Sequence, residues 1–102
     1  MLMQQHIFTA KPGKSQAVLT KLKEFQQIYE GRGGLPWRLY VGRMDDNRNV
    51  VVWQVNIERE EDLIRLCPIV AGDPEYEAAY YRWFERFKPL IIDMKRELWD
   101  VR

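Results

Sequence analysis

Two apolar runs dominate the middle of the chain, Trp37-Arg-Leu-Tyr-Val-Gly-Arg43 and Val50-Val-Val-Trp-Gln-Val-Asn-Ile57, with a polar break at residues 44–49. The break holds Asp45, Asp46, Asn47 and Asn49, whose side chains bond to nearby backbone and tolerate turn geometry, so the pair predicts a β-hairpin. In the second run Val51, Trp53, Val55 and Ile57 share one face, and Val50 and Val52 precede Gln54 and Asn56 on the other. A strand that is apolar on both faces needs a cover on each side of its sheet.

Residues 3–11 alternate as an opening strand, with Gln4, His6, Phe8 and Ala10 on one face and Gln5, Ile7 and Thr9 on the other; Pro12-Gly13 ends it. Over residues 14–29, Val18, Leu22, Phe25 and Tyr29 recur at helical spacing, widened by Leu19 and Ile28. Gly31 is expected as a left-handed cap, and residues 32–36 as a loop. Residues 58–67 predict a short helix, with acidic residues first and Leu63, Ile64 and Leu66 later, interrupted at Pro68. Asp73-Pro74, followed by Glu75 and Glu77, marks a helix start with Asp at the N-cap and Pro at the first helical position. Its stripe is Tyr76, Tyr80, Trp83 and Phe87, and Pro89 stops it. Residues 90–101 predict a last strand, with Ile92, Met94, Arg96 and Leu98 on one face and Ile91, Asp93, Lys95, Glu97, Trp99 and Val101 on the other.

The order strand, helix, strand, strand, helix pair, strand is the split βαβ arrangement of an α+β, ferredoxin-like domain: a four-stranded antiparallel sheet with helices on one face. Right-handed crossovers put the helices on the same side. The other face, with Val50, Val52, Ile91, Trp99 and Val101, is too apolar to stand bare, and a homodimer through this helix-free face covers it most simply.

A length of 102 residues fits a single domain, 1–102. Sixteen basic residues against fifteen acidic ones leave a net charge of +1, which recruits neither nucleic acid nor anionic membrane. The one cysteine, Cys67, excludes an internal disulfide and a cysteine-built metal site, and a cytoplasmic home is the default expectation. No apolar run is long enough for a membrane span, and the N-terminus carries no secretory pattern. Four Trp, five Tyr and four Phe are a heavy aromatic load for this length and point to a core, an interface or a ligand pocket.

Several marks in order resemble the dimeric α+β barrel superfamily, and within it the NIPSNAP-type small proteins. Lys11-Pro12-Gly13-Lys14 follows the first strand, Gly42 sits in the second, and Asn49-Val-Val-Val-Trp53 resembles the family's third strand. Asp73-Pro74-Glu75-Tyr76 is similar to its Asp-Pro-Glu-Trp helix start, and Pro89-Leu90 precedes the last strand. The third strand departs from the pattern, with Val51 where a His is common and Val55 where a Tyr is common. The resemblance implies two sheets packed into a barrel across a dimer, with a ligand pocket between each subunit's sheet and helices. It also implies a spread of activities, from cofactor-independent monooxygenases and cyclases to haem-degrading enzymes, among which fold does not choose.

His6, the lone histidine, shares a strand face with Phe8 and is a candidate general base or ligand hydrogen-bonding group; the competing reading is a structural histidine near the sheet end. Trp53 could stack on an aromatic ligand or offer its indole N–H, and Phe25, Tyr29 and Tyr80 are candidate pocket-lining residues on the helix stripes. Each also fits as plain core. Arg96 could hold an anionic ligand or stand exposed near the strand end. No metal site or cofactor is expected, because one His and one Cys form no ligand cluster, no phosphate loop, dinucleotide fingerprint or GxSxG occurs, and residues 58–88 lack a haem-ligating His. The expected function is binding of a small apolar or aromatic ligand by a NIPSNAP-like dimeric α+β barrel. The alternative is a cofactor-independent monooxygenase, cyclase or isomerase acting on an aromatic or polyketide-like compound.

Overall fold

The structure is a computed structural model, described here for residues 1–31, 34–59, 61–62 and 73–102. Its elements run β1 (Leu2–Ala10), α1 (Ser15–Gly31), β2 (Arg38–Val41), β3 (Val50–Ile57), α2 (Pro74–Phe87) and β4 (Ile91–Asp100). The sheet has the order β2-β3-β1-β4 with every neighbouring pair antiparallel, which is the ferredoxin-like arrangement expected from the element order.

Local chemistry accounts for each junction. Between β1 and α1, Lys14 N–H donates to the Lys11 carbonyl at 2.9 Å, and Gly13 has φ +76°, so Pro12 and Gly13 occupy the centre of a type II turn. The Asp73 carboxylate accepts from the backbone N–H groups of Glu75 and Tyr76, both at 3.1 Å, and so caps α2 as its sequence predicts. The α-helix ends at Phe87, where Lys88–Leu90 tighten into one 3-10 turn around Pro89. After β2, Gly42 N–H donates to the Val50 carbonyl at 2.9 Å, and a Cβ at Gly42 would collide with the backbone of Asn47.

The alternation assigned to β1 and β3 holds. Phe8, Ala10, Val51, Trp53, Val55 and Ile57 are buried beneath the helices, against Val18 and Leu22 of α1 and Trp83 and Phe87 of α2. Trp83 ties the helices together, its Nε1–H donating to the Lys21 carbonyl at 2.6 Å. The α1 side chain Gln26 reaches the Trp37 carbonyl at 2.9 Å and fixes the approach to β2.

Three expectations change. Gly31 is the last residue of α1 and has no positive φ, so it is not a left-handed cap. The strand β2 is shorter than the run 37–43, because Trp37 lies before it and Gly42 after it. Ile91 lies on the helix side, not on the open face. The register of β1 with β4 shifts between Thr9, opposite Asp93, and Ala10, opposite Ile91. One extra residue, Ile92, therefore sits in a bulge and resets the two-residue period, leaving Ile92 65% exposed while Ile91 packs on the core. The short helix expected over 58–67 falls largely on residues 63–67, outside the described ones.

Candidate functional site

A cavity of about 200 Å³ lies between the sheet and the two helices. All five residues singled out by sequence, His6, Phe25, Tyr29, Trp53 and Tyr80, line it. Phe8, Leu22, Trp37, Tyr76, Trp83, Phe84, Phe87, Met94 and Arg96 complete the lining.

The sheet register builds its floor. His6 on β1 pairs with Trp53 on β3 and with Arg96 on β4, and Trp53 pairs in turn with Leu39 on β2. Because directly opposite residues in antiparallel strands point to the same face, Arg96, His6 and Trp53 form one cross-strand row beneath the helices. The His6 and Trp53 rings lie 4.2 Å apart between centroids, and Trp53 meets Trp37 edge-to-face at 4.7 Å. The walls come from the helix stripes. Phe25 stacks on Trp83 at 4.5 Å, Trp83 stacks on Phe87 at 4.6 Å, and Tyr80 packs edge-on against Phe25 at 5.6 Å.

Three nitrogens at this site are buried without a hydrogen-bond partner: His6 Nδ1, Trp37 Nε1 and Trp53 Nε1. Leaving a buried polar group unpaired costs about 1–3 kcal/mol each, so such groups in a native protein call for an explanation. Trp83 provides the contrast, since its indole N–H is satisfied within the fold. His6 titrates at about 4, lowered from 6.5 first by burial and then by the Arg96 charge, so its imidazole is neutral at pH 7. It is a weak base there, and its unpartnered Nδ1 has no acid to orient it. Among the described residues, no group of three His, Cys, Asp or Glu could hold a metal ion, and no helix is long and apolar enough to cross a membrane.

Trp37 and Phe84 line the cavity without having been singled out from the sequence, and Trp37 is the one that carries an unpartnered nitrogen. The signal for it was present: in the first apolar run Trp37 and Leu39 share a face, and the hairpin register sets Leu39 opposite Trp53. Tyr76, Trp83 and Phe87 belong to the helix stripe already identified. Arg96 lies at the cavity, although its side chain remains exposed at the sheet edge.

No family model and no curated protein matches the sequence. Solved structures do match in shape. A NIPSNAP domain protein from Burkholderia xenovorans aligns with a TM-score of 0.76 at 15% identity, covering 100% of this chain and 95% of that one. A NIPSNAP family protein of unknown function from Agrobacterium tumefaciens gives 0.73 at 15% identity over 97% and 86% of the two chains. An antibiotic biosynthesis monooxygenase gives 0.66 at 16% identity over 100% and 99%. The chain has the α+β subunit fold of the NIPSNAP-type dimeric α+β barrel proteins, a fold shared with these monooxygenases.

Proposed function

We propose that this protein binds a small apolar or aromatic ligand between its sheet and helices, and that it does so as a homodimer joined through the helix-free sheet face. The observation that carries the binding reading is an aromatic cavity of about 200 Å³ whose lining residues His6, Trp37 and Trp53 each carry a buried nitrogen without a partner. An engineered apolar cavity of about 150 Å³ holds benzene, so the space suits a ring-sized body. A ligand with an acceptor atom would also relieve the unpaired indole N–H groups, which a purely apolar core would have no reason to keep.

A second reading, a cofactor-independent monooxygenase, cyclase or isomerase, draws on the shared fold and on His6 at the cavity. Against it stands the low basicity of His6, since a general base works best with a pKa near the operating pH. The dimer reading draws on the apolar open face, where Trp99 is 51% and Tyr40 44% exposed.

The test is calorimetric titration with 2-naphthol, run on the wild type and on Trp53→Phe, with the aerobic mixtures analysed afterwards by mass spectrometry. Binding near one ligand per subunit is expected, weakened roughly threefold to tenfold in Trp53→Phe, which keeps a ring but loses a neutral hydrogen-bond donor. Absence of saturable binding would remove the reading, and an oxidised or isomerised product that vanishes in His6→Gln would move it to the enzymatic alternative.

A further inference from the structure

We infer that the ligand of this cavity is a small aromatic carboxylate, its ring among the helix aromatics and its carboxylate over the row formed by Arg96, His6 and Trp53. This rests on the binding reading above and adds the charge and polarity of the ligand to it.

The charge inventory comes first. Among the described residues, Arg96 is the only one of formal charge on the cavity lining, and no aspartate or glutamate joins it there. Its neighbours on β4 and beyond are paired, Lys95 with Glu97 at 3.2 Å and Arg102 with Asp100 at 3.8 Å. Among the described residues Arg96 has no ion-pair partner. A cation bordering an aromatic cavity without its own counter-ion is an arrangement that an incoming anion completes.

The hydrogen-bonding inventory agrees. An indole nitrogen can only donate, so the unpartnered Nε1 atoms of Trp37 and Trp53 both demand an acceptor. Neutral His6 can turn either a donor or an acceptor nitrogen toward the cavity.

Geometry then selects the acceptor. The register places Arg96, His6 and Trp53 side by side on three adjacent strands, so their side chains leave the same face of the sheet at one level along the strands. Neighbouring strands stand about 4.8 Å apart, so a carboxylate seated over His6 lies one strand spacing from the Arg96 position. A guanidinium fork also matches a planar carboxylate with two parallel hydrogen bonds. With one unpaired cation and a neutral imidazole, the site balances a single negative charge.

The experiment is calorimetry at pH 7.5 with two matched pairs, benzoate and benzamide, and 2-naphthoate and 2-naphthamide. Each amide keeps the shape of its acid and drops the charge. The better-fitting acid is expected to bind at least tenfold more tightly than its amide. In Arg96→Gln that preference should fall to within about threefold, with Arg96→Lys intermediate because it retains charge but loses the fork. Thermal melts establish that both variants are folded, and Arg96→Lys keeps the test open if Arg96→Gln is not. Amides binding as tightly as acids would overturn the carboxylate inference and leave the binding reading standing. A preference for acids that survives in a folded Arg96→Gln would overturn the assignment of Arg96. Binding by none of the four compounds would overturn the carboxylate inference, and the binding reading would fall with it only if 2-naphthol also fails to bind.

Discussion

His6 and Trp53 face one another across the β1–β3 pair with ring centroids 4.2 Å apart, and each holds a buried nitrogen that nothing in the fold satisfies. Both lie mid-strand, where the backbone ladder fixes them, so the mismatch cannot be removed by a small backbone adjustment. The same ladder places Arg96 on the far side of His6. The backbone positions of the polar row are therefore set by the sheet, while the Arg96 side chain itself stands exposed at the sheet edge.

The depressed pKa of His6 makes a pH prediction with a definite sign. The unfolded histidine titrates near 6.5 and the folded one at about 4, so on acidification the unfolded chain takes up the proton first. The stability that neutral His6 contributes is complete above about pH 6.5 and drains away as the pH falls toward 4. Between pH 7 and pH 5 the loss should be at most about 2 kcal/mol, less to the extent that solvent reaches the ring. The measurement is denaturant unfolding of wild type and His6→Gln across that window. The variant should be flatter in pH by that amount, and parallel profiles would show that His6 is not held neutral by its surroundings.

Two glycine substitutions should act in opposite directions. A Cβ at Gly42 would press into the Asn47 backbone, which is itself held by the Val50 N–H to Asn47 carbonyl bond at 2.9 Å, so Gly42→Ala should cost about 1–3 kcal/mol through forced displacement of the hairpin turn. Gly31 has open space around it, ends α1 and has no positive φ, so Gly31→Ala should stabilise by about 0.4–1 kcal/mol, chiefly by restricting the unfolded chain. Melting temperatures of the two variants check both signs. A stabilised Gly42→Ala would mean that the turn relaxes freely.

The Gly31 result also marks where the sequence stops being informative. Element order, the Asp73 cap and the two helix stripes were legible because each rests on a short-range periodicity or a local hydrogen bond. The facing of Ile91 was not, because it depends on a bulge that only the pairing of β4 with β1 creates. The same holds at the site. His6 and Trp53 could be placed on the helix side by alternation alone, but their adjacency, and the presence of Arg96 beside them, follow from long-range register. That Trp83 finds a carbonyl for its N–H while Trp37 and Trp53 do not is likewise a tertiary fact with no sequence signal.

The last prediction concerns the open face. On it Tyr40, Val52 and Ile7 form a cross-strand row ending at Lys95, and Trp99 lies opposite Met3 two steps further along. With α1 and α2 both on the other side and Trp99 51% exposed, a second copy of the sheet is the proposed cover. Sedimentation equilibrium at micromolar concentration should return a dimer for the wild type. A two-fold interface repeats every substitution, so Val52→Glu would bury two unpaired carboxylates near its centre, at a cost of several kcal/mol each unless they protonate or the interface opens. The expected outcome is dissociation to a folded monomer at neutral pH, with partial return of the dimer under acidic conditions. A wild-type monomer would remove the dimer proposal, and a Val52→Glu dimer of undiminished affinity would move the interface away from this face.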